Sequence, residues 1–314
     1  MPSLDYKSKY ADIFLIAGGP QSKNTKAILA EVLKSSNTNL QSKVYRGGKE
    51  EATQAYSNIR RGADDAANKG RRMNANWYKK KAPCVAYIGT ASDDNKDFFL
   101  MLRPIIMAAG AGSVTLVPIV RRFDLDKAKD ILLASDVIFI SGGDVDLGMK
   151  YLRKRNFYTI SISKDNAAAR RRDRKRIVHT LRKPTTQPTK LAKESELGLV
   201  PFFRELYDQG KLFCGISAGA IMLCRYWMHW RDPDNDDTAE LLDCLGFAPL
   251  LCDVHAEEDN WVEMKRLLGF FPQGTAGYGI PAEGALRVAP DGKITSLGSA
   301  PIRFIKEGTD IIIV

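Results

Sequence analysis

No apolar run in this chain approaches the roughly 18–20 residues that a membrane-spanning helix needs. The opening residues Met1-Pro2-Ser3-Leu4-Asp5-Tyr6 lack the basic and apolar segments of a signal peptide, so a cytoplasmic protein is expected. Cysteine is scarce and odd in number. Cys84, Cys214, Cys224, Cys244 and Cys252 have no framework spacing, which predicts reduced, mostly buried thiols rather than disulfides. Histidine is scarcer still, at three. Gly18-Gly19 is followed by Asn24-Thr25-Lys26 with no Gly-Lys-Ser/Thr ending, which excludes a P-loop. Cys252, His255 and their neighbours lack a recognisable metal-ligand spacing, so neither a metal nor an organic cofactor is expected.

Against these absences the bulk composition is ordinary, with 44% hydrophobic and 27% charged residues among 314. The formal charge of +10 is local. Between Arg153 and Lys190 there are 13 Lys or Arg against only Asp165 and Asp173, leaving 34 basic against 35 acidic residues elsewhere. A run such as Arg170–Arg176 is most often a solvated surface. It lacks the interleaved aromatics of a single-strand-binding platform, although contact with nucleic acid or another polyanion stays the alternative for it.

What is present is an alternation of short apolar strands and amphipathic helices. Ile13–Ala17, Cys84–Thr90, Ser113–Ile119 and Val137–Ile140 read as buried strands, most of them ending in small residues. Lys26–Leu33, Phe98–Ala109 (interrupted by Pro104), Leu125–Leu133, Val145–Leu152 and Leu197–Tyr207 read as helices. This pattern predicts an α/β fold, a mostly parallel sheet with helices on both faces, and sites beyond the carboxyl ends of the strands. The end is β-rich, with Asp291-Gly292 as a hairpin turn. Two stretches fall outside the pattern and are expected to be insertions in a single domain spanning 1–314. One is polar and helical at about 35–81, with its best helix at Glu50–Lys69; the other is basic and superficial at about 153–190.

The stretch that carries chemistry is Leu212 to Cys224, which contains Gly215-Ile216-Ser217-Ala218-Gly219. An apolar strand, a Gly-x-Ser-x-Gly turn and an Ala-rich helix form the pattern of a nucleophile elbow, where small neighbours tolerate a strained serine. A serine needs a base. His179 lies in the basic stretch, and His229 sits among Tyr226, Trp227, Met228 and Trp230, expected on or just past the elbow helix. His255 follows an apolar run at a strand end and is the best candidate. The orienting carboxylate is open on residues alone: Asp232, Asp234, Asp236 and Asp237 share one loop, and Asp253 and Glu283 are alternatives. An oxyanion hole would be made by the N–H of Ala218 and one from Gly142-Gly143.

Taken together, Gly142-Gly143-Asp144, Gly215-Ile216-Ser217-Ala218-Gly219-Ala220, the acidic loop, the strand ending at His255 and Gly279-Ile280-Pro281-Ala282-Glu283-Gly284 resemble peptidase family S51. This is the dipeptidase E and cyanophycinase group, with a class I glutamine-amidotransferase-like fold. The resemblance implies Ser217 as nucleophile, His255 as base, Asp232 as acidic partner, and Gly143 and Ala218 as oxyanion donors. It also implies hydrolysis of small peptides, acidic or β-aspartyl, through an acyl-enzyme. Ala256 stands where that group has a larger residue, and Val145 where cyanophycinases carry Gln. An α/β-hydrolase shares the triad order, but a His-Gly-Gly-Gly loop is absent. An amidotransferase would have cysteine in place of Ser217. The rival outside enzymology is an inactive scaffold that binds a polyanion or a partner through its Arg-rich stretch.

Overall fold

Ile13 and Leu15 pack into one apolar cluster while Phe14 and Ile16 pack into another, so a single four-residue strand separates two cores. That is the signature of a sheet covered on both faces, where strands read as continuous apolar runs rather than alternating ones. The computed structural model describes residues 10–46, 82–121, 123–154, 199–232 and 234–314. In chain order these form β1 (Ile13–Ile16), α1 (Thr25–Arg46), β2 (Cys84–Ile88), α2 (Lys96–Ala108), β3 (Ser113–Leu116), α3 (Leu125–Ala134), β4 (Val137–Ile140) and α4 (Val145–Lys154). Then follow α5 (Leu199–Asp208), β5 (Leu212–Ile216), α6 (Ala218–Leu223), β6 (Tyr226–Trp230), β7 (Ala239–Asp243) and β8 (Cys252–Val254). The chain ends with α7 (Val262–Gly269), β9 (Ala276–Ile280), β10 (Gly284–Val288), β11 (Ile294–Gly298), β12 (Ile302–Glu307) and β13 (Asp310–Ile313).

The main sheet has the order β11-β10-β1-β5-β4-β2-β3. Its β1, β5, β4, β2 and β3 are parallel, and β10 and β11 add an antiparallel edge. The fold is therefore α/β with a mostly parallel sheet, as the alternation predicted. Beneath one face lie Leu29 of α1 and Leu102 and Ile106 of α2; on the other lie Leu132 of α3, Met149 of α4, Phe203 of α5 and the whole of α6. A second sheet, β13-β12-β9-β8, and the hairpin β6-β7 make up the β-rich end. Gly292, with φ +83°, turns β10 into β11 at the expected Asp-Gly pair.

Several local expectations need correction. Helix α1 runs on through residue 46, so the first part of the polar stretch continues a core helix; residues 47–81 lie outside the described chain, as do 155–198 with His179 and the Arg-rich run. Pro104 lies inside α2 without ending it, at the loss of one backbone hydrogen bond. The cap of α2 is Asn95, whose Oδ1 accepts from the N–H groups of Asp97 and Phe98. Asp94, just before it, is 3% exposed and spends Oδ2 on three successive N–H donors, Ile119, Val120 and Arg121. Among the described residues no helix is long and apolar enough to cross a membrane.

Candidate active site

Parallel pairing of β4 with β5, Ile140 opposite Gly215, sets the two glycine-rich strand ends side by side. Ser217 follows β5 directly with φ 53° and ψ −124°, a backbone region that costs a non-glycine residue of order 1–3 kcal/mol. Its own N–H donates to the Ile16 carbonyl at 2.8 Å, and its carbonyl accepts from Ala220, which holds the turn between strand and helix. The small residues around it are sterically required. A Cβ on Gly215 would sit 2.1 Å from the Gly219 carbonyl oxygen, and one on Gly219 would sit 2.2 Å from that of Ile140. Helix α6 can therefore approach β5 only where both are glycine, and this is how the turn presents a half-buried Ser217 at the carboxyl end of the parallel strands.

His255 comes from the second sheet. It follows β8 with φ 45°, and its N–H donates to the Ile280 carbonyl at 2.9 Å, pinning it to the end of β9. Its Nε2 lies 2.8 Å from Ser217 Oγ. This is hydrogen-bond distance for a hydroxyl handing its proton to an imidazole, with the ring proton on Nδ1. Gly143, at φ +137°, is packed so closely that a Cβ would lie 2.1 Å from the Ala91 carbonyl oxygen. Neither its N–H nor that of Ala218, the first residue of α6, has a hydrogen-bond acceptor among the described residues. Both residues and the serine–histidine pair border one cavity of about 420 Å³.

Asp232 is not brought to this pair. It lies exposed at the far end of the β6-β7 hairpin, where its Oδ1 accepts from the Asp234 N–H and its N–H donates to Thr238 Oγ1. Asn235, three residues on, takes the Asp237 N–H on its own Oδ1, so this loop is a set of self-satisfied turns. Glu283 is committed as well, accepting from the Ser22 hydroxyl and the N–H groups of Asn24 and Lys23, which hold its carboxyl below its ordinary range. Glu257 accepts from the Ala282 N–H. Among the described residues no carboxylate bonds to His255 Nδ1.

The contacts of other groups around the site have no local signal in the sequence. His229 lies on β6, just past the elbow helix, and its Nδ1 is 2.6 Å from Asp146 Oδ2 at the start of α4. Asp253, beside His255 in sequence, is 3% exposed; its Oδ1 takes the Val254 N–H, and its Oδ2 has no partner among the described residues. Burial, then the nearby charges of Glu263 and Asp259, push its carboxyl from 3.8 up to about 7. Cys224 and Cys252 meet with sulfurs 3.1 Å apart as free thiols, and burial drives the Cys224 thiol well upward. Among the described residues no three His, Cys, Asp or Glu side chains are grouped to hold a metal ion.

No curated protein sequence matches the chain. A crystal structure of a peptidase from an acI-B1 Actinobacterium superposes with a TM-score of 0.54 and 14% identity, over 99% of this chain and 97% of that one. A "Putative Peptidase E Protein" from Listeria monocytogenes EGD-e superposes with a TM-score of 0.46 and 12% identity, over 93% of this chain and 100% of that one. The first of these shows the fold. Residues 190–296, which carry the elbow, His255 and the Gly-Ile-Pro-Ala-Glu-Gly segment, match the model of peptidase family S51. The match falls on the residues that carry the resemblance read from the sequence, and over this stretch the chain is similar to peptidase family S51.

Proposed function

We propose that the protein hydrolyses amide bonds in short peptides through an acyl-enzyme on Ser217. The observation that carries this reading is the 2.8 Å contact between Ser217 Oγ and His255 Nε2 at a strained strand–helix turn. As Oγ attacks the substrate carbonyl carbon, its proton passes to Nε2 and the carbonyl oxygen gains the negative charge. The Gly143 and Ala218 N–H groups receive that oxyanion, each such donor contributing typically about 3 kcal/mol to the transition state. Collapse breaks the C–N bond, and the imidazolium returns the proton to the leaving amine. Water then attacks the ester with His255 again as base, releasing the acid and restoring the serine.

The third triad role assigned to Asp232 by the resemblance has no geometric support, since Asp232 is tied into its own exposed turn. The reading rests on the serine–histidine pair and the two N–H donors. Acidic and β-aspartyl peptides are the substrates the resemblance implies, and the cavity's lining bears on that choice below.

The test is intact mass after exposure to a neutral fluorophosphonate. A single adduct on the wild type, none on Ser217→Ala and a slowed one on His255→Ala is the expected result. Equal labelling of Ser217→Ala, or none on folded wild type, would overturn the assignment.

A further inference from the structure

Among the described residues, the cavity beside Ser217 is lined by five carboxylates, Asp144, Asp146, Asp253, Asp259 and Glu263, and by no lysine or arginine. Some carboxylates elsewhere in the fold are neutralised or capped. Asp12 faces Arg287 at 2.7 Å, Asp93 faces Arg121 at 2.7 Å, and Asp94 takes three backbone N–H groups on one oxygen. Among the described residues two oxygens of the cavity's carboxylates are buried without a hydrogen-bond partner, Oδ2 of Asp253 and Oδ1 of Asp146, and Oδ1 of Asp94 is so elsewhere. Asp253 is the most buried of the five at 3% exposed, and among the described residues its Oδ2 has no hydrogen-bond partner. A buried carboxylate without a cation is expensive, and one is retained where something supplies the missing charge.

We propose that this wall is a specificity subsite for a positively charged side chain, lysine or arginine, on the peptide residue whose carbonyl Ser217 attacks. Asp253 takes the cationic nitrogen, and Glu263 and Asp259 surround it with negative charge. The proposal rests on the peptidase reading given above. The attacked residue is the one bonded to Ser217 through the acyl-enzyme, so its side chain is the one the shared cavity must house throughout. Trp227 and Trp230 supply apolar walls for an alkyl stem and faces for a guanidinium. The carboxyls of Asp253 and Glu263 are both raised, first by burial and then by neighbouring acids, so a cation entering among them relieves both penalties. Among the described residues no three such groups converge as metal ligands would, which favours an organic cation over a metal ion. An acidic side chain in the same place would meet like charge on every polar wall. The lining therefore opposes the aspartyl substrates implied by the sequence resemblance.

The experiment compares two diphenyl aminoalkylphosphonates that differ only in a lysine-type ammonium against a norleucine-type methyl terminus. The rate of Ser217 phosphonylation is read by intact mass. The cationic probe is expected to react about 30-fold faster, of the order found when a charge meets a buried partner. Asp253→Asn is expected to close most of that gap, and Glu263→Gln and Asp259→Asn, nearer solvent, part of it. The two outer variants keep the test valid if Asp253→Asn fails to fold. Equal rates for the two probes, alongside normal labelling by the neutral fluorophosphonate, overturn the subsite and leave the peptidase reading standing. A gap unchanged in all three variants likewise overturns the subsite. No labelling by any reagent overturns both.

Discussion

Replacing Asp253 with Asn is expected to stabilise the protein, and by an amount that depends on pH. The side chain is 3% exposed, and its carboxyl titrates at about 7 in the folded protein against 3.8 ordinarily, chiefly because burial penalises the charged form. Below about pH 4 both folded and unfolded chains hold the proton, and the acid costs nothing extra. Between about pH 4 and 7 the unfolded chain releases the proton while the folded one retains it. The folded state then binds more protons, and stability falls as pH rises, by about 1.4 kcal/mol per pH unit. Above about 7 both forms are ionised and the loss levels off, on the order of 4 kcal/mol in total. Asn keeps the shape and the acceptor for the Val254 N–H but has no proton to lose.

The assay is equilibrium denaturation of wild type and Asp253→Asn at pH 4, 5, 6, 7 and 8. The difference between them should grow from near zero at the acid end to a few kcal/mol in favour of the variant at the alkaline end. A difference that does not vary with pH, or one that favours wild type more as pH rises, would refute the reasoning. Such a result would mean the folded protein holds Asp253 ionised at little cost, through a partner the geometry does not provide. A stabilising loss of a buried acid is also what a site maintained for binding rather than folding predicts.

Three further outcomes follow from single contacts. Gly143→Ala forces a Cβ to within 2.1 Å of the Ala91 carbonyl oxygen, so the loop must shift and carry its N–H away; Ser217 labelling is expected to slow about 100-fold with the circular dichroism spectrum retained. Asp232→Asn should leave the labelling rate within about twofold of wild type, whereas loss of a true orienting carboxylate costs about 10⁴-fold in a triad, so a large drop would return Asp232 to the imidazole. Cys224 and Cys252 are fully buried free thiols, so neither should react with a disulfide reagent in native buffer, and both should on unfolding; rapid modification of the native protein would contradict their burial.

The fold was largely legible because it rests on local patterns. Apolar runs of four or five residues ending in small ones marked β1, β2, β4 and β5, and the two-sided sheet follows from their uninterrupted apolarity. The elbow was legible for a similar reason: Gly215 and Gly219 leave no room for a Cβ, and such a constraint is written into the sequence at fixed spacing. What escaped local reading depends on how distant segments meet. Nothing near His229 indicates that it faces Asp146, 83 positions away, and nothing near Glu263 indicates that it comes to the cavity of Ser217.

The acidic residues show the limit most plainly. Asp232, Asp234 and Asp237 drew attention because they cluster in sequence, yet they lie exposed, with Asp232 serving its own turn. Asp253 is one acid in a short apolar strand, where composition gives it little weight, and it is the most buried carboxylate of the cavity beside the serine. Density along the chain measures how readily a segment is solvated. Chemistry depends instead on what a group loses when the fold takes it from water, and that loss is set by the strands and helices closing over it. For a site assembled from two sheets, the charge that selects a substrate is therefore better sought among the isolated acids of buried strands than in the acidic loops.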